Sequence, residues 1–196
     1  MNSRQVLAGL ARRLNRETGA PDVPALFFLT DPERTPDPAG VVRHLPRGTA
    51  VIYRHFGAPE RRRVARDLAW LCRMRGLRLL IAADPELAQD VGADGVHWPE
   101  ARLPGTRGAL PLVTIAAHSA AAVARAAAFG ADACLLSPVF PTRSASARTT
   151  LGLFRASQIA RSASIPVIAL GGVSQATAPR LSGRGFAGLA AIDALM

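Results

Sequence analysis

The stretch Ile165-Pro-Val-Ile-Ala-Leu-Gly-Gly-Val173 decides the fold, because other segments of the chain are built like it. Leu26–Asp31 (LFFLTD), Gly92–Trp98 (GADGVHW), Gly130–Thr142 (GADACLLSPVFPT) and Gly185–Ile192 (GFAGLAAI) are also short apolar runs that end in Gly, Pro, His or Asp. Runs of roughly four to six apolar residues are too short for a helix and read as strands buried on both faces. Stretches of helical length, rich in Ala, Leu and Arg, separate them. Strand and helix in alternation give a parallel sheet, with the chemistry placed where the strands end.

Working outward, eight strands are expected: Ala25–Thr30, Ala50–Arg54, Leu77–Ala82, Gly95–Trp98, Leu112–Ala117, Ala133–Ser137, Pro166–Leu170 and Gly188–Ile192. Helices are expected over Glu60–Arg75, Pro85–Val91, Ser119–Phe129, Leu153–Ser162 and Gln175–Gly183. Pro38–Leu45 is a scrap of helix, and Arg102–Leu110 is mostly loop. This is an α/β pattern of eight βα steps, and it predicts a compact (β/α)8 TIM barrel below the typical size of about 250 residues. An open doubly wound sheet is the alternative, but no GxGxxG loop follows the first strand. Residues 1–24 read as an amphipathic helix, with Val6, Leu7, Leu10 and Leu14 on one face, and a linker; residues 25–196 read as a single barrel. The last helix is expected to be cut short at Met196. That would bare an apolar wall, to be covered by the N-terminal helix or by a second subunit in a homodimer.

Composition narrows the partners. Hydrophobic residues make up 49% of the 196, enough for a filled core. No apolar run approaches the ~18 residues of a membrane span, and the N-terminal stretch lacks the apolar core of a secretory signal. Cys72 and Cys134 read as buried reduced thiols, which fits a cytoplasmic protein. All 24 basic residues are arginine, and the net charge is +10. With aromatic residues at 5% and no helix-turn-helix, RNP or zinc pattern, nucleic acid is disfavoured and a small anionic ligand fits the charge.

The strand ends carry the unusual residues. Gly171-Gly172 either lets a phosphate approach backbone amides or simply makes a tight βα turn. Asp193, after the eighth strand, would repel a phosphate unless it caps the final turn. His118 closes the fifth strand, as a proton carrier or as a polar residue bonded at the rim, and Ser119 is the expected cap of the next helix. His97, in an apolar setting, reads as structural. Arg54 needs an anionic partner if it points into the mouth. Thr142, Arg143 and Ser144 form a polar loop that either binds an anion or is an exposed lid. No HxH, HExxH or CxxC occurs, so no transition-metal site is expected.

At these residues the chain resembles the thiamine phosphate synthase and thiazole tautomerase superfamily of small (β/α)8 barrels. The motifs run in order LTD, YR, LLI, GADGVH, AHS, PVFPT, IPVIALGG and GLAAI, from Leu26 to about Ala194. The synthase branch implies Asn-Asp after LLI, for a pyrimidine diphosphate and Mg²⁺; Ala82 and Ala83 stand there. Its second Mg²⁺ ligand aligns with Arg102, and its diphosphate-neutralising lysine aligns near Ala145. Its Gln-x-Arg-Glu-Lys pattern keeps only Arg54, followed by His55 and Phe56. The tautomerase branch needs no metal and implies His118 as general acid/base. It also implies a thiazole phosphate held at Gly171, Gly172, Ile192 and Asp193, with Arg54 and Thr142 orienting the anion. The expectation is therefore a metal-independent, thiazole tautomerase-like enzyme without cofactor. The alternatives are a non-catalytic homologue that binds a small anion, and a divergent synthase whose Mg²⁺ sits on Asp84 and Glu100.

Overall fold

The computed structural model describes residues 2–142 and 149–196. The strands are β1 (Leu26–Leu29), β2 (Ala50–Tyr53), β3 (Arg78–Ala82), β4 (Gly95–Trp98), β5 (Leu112–Ala117), β6 (Ala133–Leu136), β7 (Val167–Ala169) and β8 (Gly188–Ala191). They pair in parallel and in sequence order, and β8 closes on β1 with Phe27 opposite Ala190. The (β/α)8 barrel is thus a closed one.

Each strand serves two cores, because successive side chains point to opposite faces. Phe27, Leu29, Ile52, Leu80, Leu135 and Ile168 fill the barrel interior. Their neighbours Phe28, Val51, Leu79, Leu136 and Leu189 face the helices. This explains runs without polar alternation: neither face meets water.

The helices are α1 (Ser3–Thr18), α2 (Pro38–Val42), α3 (Arg61–Arg75), α4 (Pro85–Asp90), α5 (Ala120–Ala128) and α6 (Leu153–Ser162). The expected helix Gln175–Gly183 is a correction. Only a 3₁₀ turn, Ala178–Leu181, forms there. Pro179 supplies no N–H, and the Thr177 hydroxyl bonds the Gly172 carbonyl at 2.8 Å, tying the segment into a turn before a helix can grow. After β8 the chain makes one further 3₁₀ turn, Asp193–Leu195.

α1 packs over the wall beside β1, β8 and that final turn. Asn2 caps the helix through a bond from Arg4 N, and Gly19 ends it in the left-handed conformation. Leu7, Ala8, Ala11 and Leu14 are buried in the outer core. Asn15 Nδ2 donates to the Ala187 carbonyl at 3.2 Å, and Arg4 Nε to that of Leu195 at 2.9 Å. Burying Leu7 and Leu14 contributes about 2 kcal/mol each. Cys72 and Cys134 are free and buried, their thiols pushed up to about 12 by desolvation. Among the described residues, no helix is long and apolar enough to cross a membrane.

Candidate active site

A cavity of about 370 Å³ opens at the C-terminal ends of the strands. Asp84 and Glu100 lie outside its lining, which includes Arg54, His118, Thr142, Gly171, Gly172, Ile192 and Asp193. His97, Arg34 and Phe56 join them. Arg143 and Ser144 lie outside the described residues. A larger, shallow depression of about 1400 Å³ lies at the opposite end, among the strand beginnings at Leu26, Thr49, Leu77 and Leu112. In such barrels that end serves stability, and the chemistry belongs to the mouth.

His118 follows β5, and the Ser119 hydroxyl accepts from Ala122 N to cap α5. The ring Nδ1 of His118 lies 2.8 Å from Glu100 Oε2. The same oxygen accepts the His118 backbone N–H at 3.1 Å, and Glu100 Oε1 accepts from Arg125 at 2.6 Å. His97 differs. It is buried, with Nδ1 2.9 Å from Thr114 Oγ1, and desolvation pushes it down to about 3, so it is neutral at physiological pH.

Across the mouth, Arg54 is fixed through its backbone N–H to Thr30 Oγ1 (2.9 Å) and its Nε to the Thr30 carbonyl (2.8 Å). Burial lowers the pKa of its guanidinium, which Asp31 Oδ2 offsets from 3.6 Å. Arg34 donates to Asp31 at 2.9 Å and holds that carboxyl below its ordinary range. The other arm of Arg34 reaches Asp193 at 3.4 Å. Asp193 is therefore not a bare charge after β8, since a cation lies beside it. Sequence reading missed Arg34, whose only signal is a basic residue in the loop after the first strand.

Gly171 and Gly172 have φ of +90° and +63°. A Cβ on Gly171 would come 2.7 Å from Pro138 Cα, and one on Gly172 would overlap the Pro141 carbonyl and lie 2.7 Å from Phe140 Cβ. The pair therefore lets the loop after β6 lie against β7, where Val139 N bonds Leu170 O and Phe140 N bonds Gly171 O. The turn requires these glycines whether or not an anion binds. Among the described residues, however, no acceptor takes the amides of Gly171, Gly172 or Val173, which all line the cavity.

The Mg²⁺ and diphosphate implied for the synthase branch do not fit these side chains. Ala82 and Ala83 offer no oxygen from a side chain. Asp84 caps α4 through Leu87 N at 2.9 Å and gives its other oxygen to Arg61. Glu100 is committed to His118 and Arg125, so it is a partner of the histidine and does not stand as a replacement metal ligand. Arg102, at the third position, lies 5.6 Å from the Phe56 ring centroid. Diphosphate departure needs cations on the leaving group, and here the carboxylates that would hold a metal are absent or paired.

A closed barrel of eight parallel strands with a cavity at their C-terminal ends defines a (β/α)8 protein. Residues 26–195 match the family model described as thiamine monophosphate synthase, and the chain belongs to that family. It is 34% identical over 139 residues to a putative thiamine-phosphate synthase of Geobacter sulfurreducens, covering 68% of this chain and 65% of that protein. It is 29% identical over 196 residues to the thiamine-phosphate synthase of Bacillus velezensis, covering 93% and 88%. The solved structure of thiamine phosphate pyrophosphorylase from Pyrococcus furiosus superposes with a TM-score of 0.75 at 25% identity, over 93% of this chain and 87% of that one.

Proposed function

We propose that this barrel catalyses metal-independent proton transfer on a small thiazole phosphate, the isomerisation of a non-aromatic thiazole carboxylate to its aromatic form. The reading is carried by His118. It lines the cavity with one ring nitrogen engaged by Glu100 and the other left for a ligand. In the reaction, Nε2 takes a proton from a ring carbon, the electrons of that C–H bond move into the ring, and the imidazolium returns a proton to a carbon further along. No atom is lost or gained, so no leaving group and no metal are needed. The free amides of Gly171 to Val173 would receive the phosphate, and Arg54 and Thr142 would orient the carboxylate.

General acid–base catalysis supplies about 10²–10⁴ of rate. Replacing His118→Asn should lower kcat by at least about 10²-fold, while calorimetric affinity for the thiazole phosphate carboxylate stays within about threefold. Turnover should be indifferent to EDTA. Full activity in the variant would overturn the assignment.

The names of the relatives favour a second reading, a divergent synthase. It requires Mg²⁺-dependent release of diphosphate from a pyrimidine diphosphate. The same assay separates both from a non-catalytic homologue, which would bind the thiazole phosphate and turn over neither substrate.

A further inference from the structure

We infer that Glu100 is the positioning residue that fixes the tautomer and orientation of His118, with Arg125 as the clamp on its far oxygen. The inference rests on His118 as the proton carrier. Glu100 lies in the 3₁₀ turn Glu100–Arg102 that follows β4, so its carboxylate crosses from the end of β4 to the end of β5. An ionised carboxylate only accepts hydrogen bonds. The contact at 2.8 Å therefore requires the hydrogen on Nδ1 of His118 and leaves the lone pair on Nε2.

The second bond to the same oxygen, from the His118 backbone N–H at 3.1 Å, closes a ring between main chain, imidazole and carboxylate. That ring holds the imidazole in one orientation relative to the barrel wall. Arg125, on α5, occupies Oε1 at 2.6 Å and stops the carboxylate from rotating away. As a half-exposed ion pair, Glu100–Arg125 adds little to stability, so its consequence is geometric. When Nε2 takes the substrate proton, the ring becomes a cation facing Glu100, and that charge is stabilised where it appears. A histidine without this partner would populate both tautomers, and the form with hydrogen on Nε2 is no base toward the cavity.

The test uses the full chain with ¹⁵N-labelled histidine. The wild-type spectrum should show His118 protonated at Nδ1 alone, with Nε2 bare. Glu100→Ala should show averaged tautomers and a kcat lower by about 10²-fold with KM little changed. An unchanged His118 signature and unchanged kcat would overturn the inference. Because Glu100→Ala removes a partner of a backbone amide, Arg125→Ala provides a gentler variant on the exposed side. It should keep the Nδ1–H signature and lower kcat by about threefold to tenfold; wild-type kcat there would overturn the clamp. The tautomer is read without substrate. A wild-type protein that shows the bare Nε2 but isomerises no thiazole phosphate would therefore sink the reaction while leaving the Glu100 assignment in place.

Discussion

The ends of β1 to β4 and the ends of β5 to β8 share one cavity, yet they differ in how far their polar groups are paired. On the β1–β4 side the carboxylates that follow β1 and β3 are answered from within. Asp84 is taken by Arg61 and by the cap of α4, Asp31 by Arg34 and Arg54, and β3 ends in alanine. On the β5–β8 side, among the described residues, His118 keeps one nitrogen unengaged and the three consecutive amides of Gly171 to Val173 lack a protein acceptor. A self-satisfied sector has little to offer a metal or a departing diphosphate. A sector with unanswered donors and a base still asks for an anion and a proton. The comparison teaches that within one barrel mouth the two sectors leave different groups available to a ligand.

The strongest way to break the comparison is to damage the unanswered half. Gly172→Ala places a Cβ at φ +63° against the Pro141 carbonyl and Phe140. Left-handed backbone costs a residue with a Cβ about 1–2 kcal/mol, and overpacking adds about 1–3. We expect a loss of about 2–5 kcal/mol in chemical denaturation, together with loss of thiazole phosphate binding. A variant of wild-type stability would show that the loop after β6 yields without resistance and that the turn is not what requires glycine.

Much of this division was legible in the chain before the structure, and the rest had a physical reason to be hidden. The strands were readable because burial on both faces leaves an uninterrupted apolar run. His118, Gly171 and Gly172 were readable because they end such runs. The segment 175–183 misled, since Pro179 and the Ser174–Thr177 turn bonds outweigh a composition that suits a helix. The contacts of Glu100 and Arg34 were not legible because their partners, His118 and Asp193, are 18 and 159 residues away along the chain. Only barrel closure brings β1 beside β8, and only strand pairing sets the turn after β4 against the end of β5.

His97 tests the boundary between the two halves. Its folded pKa is pushed down to about 3 from an ordinary 6.5, first by desolvation and then by Arg54. Above pH 6.5 neither folded nor unfolded chain protonates it, and stability is complete. As pH falls from 6.5 toward 3, the unfolded chain takes a proton that the folded chain refuses, and stability drains away. At pH 4 the loss is on the order of 3 kcal/mol. His97→Gln keeps a polar group opposite Thr114 and removes the titration, so its stability should be flatter between pH 6.5 and 4. Asp31, whose pKa is lowered chiefly by the hydrogen bond from Arg34, contributes stability that is present above its ordinary 3.8 and lost below it, and so acts in a lower window. Equal slopes for wild type and His97→Gln would show that the imidazole is reached by water from the cavity.

The smallest effect sharpens the silent half. Ala83 is the single residue other than glycine with positive φ among the described residues, at +50°. Its amide donates to the His97 carbonyl at 2.9 Å, which ties the strained turn to β4. Left-handed backbone suits Asn and Asp, and the resemblance puts an acidic Mg²⁺ ligand at this position. The alanine thus occupies a backbone conformation that such a side chain would favour more than its own. Ala83→Gly should relieve the strain but lose some unfolded-state restriction, for a net gain of about 0.5–1 kcal/mol. In a chain of this size that raises Tm by about 1–4 °C. A lower Tm would mean that the Ala83 methyl group, which packs against the outer core, stabilises the fold more than its backbone strains it. A higher one would mean that the turn after β3 tolerates alanine at a cost in backbone strain.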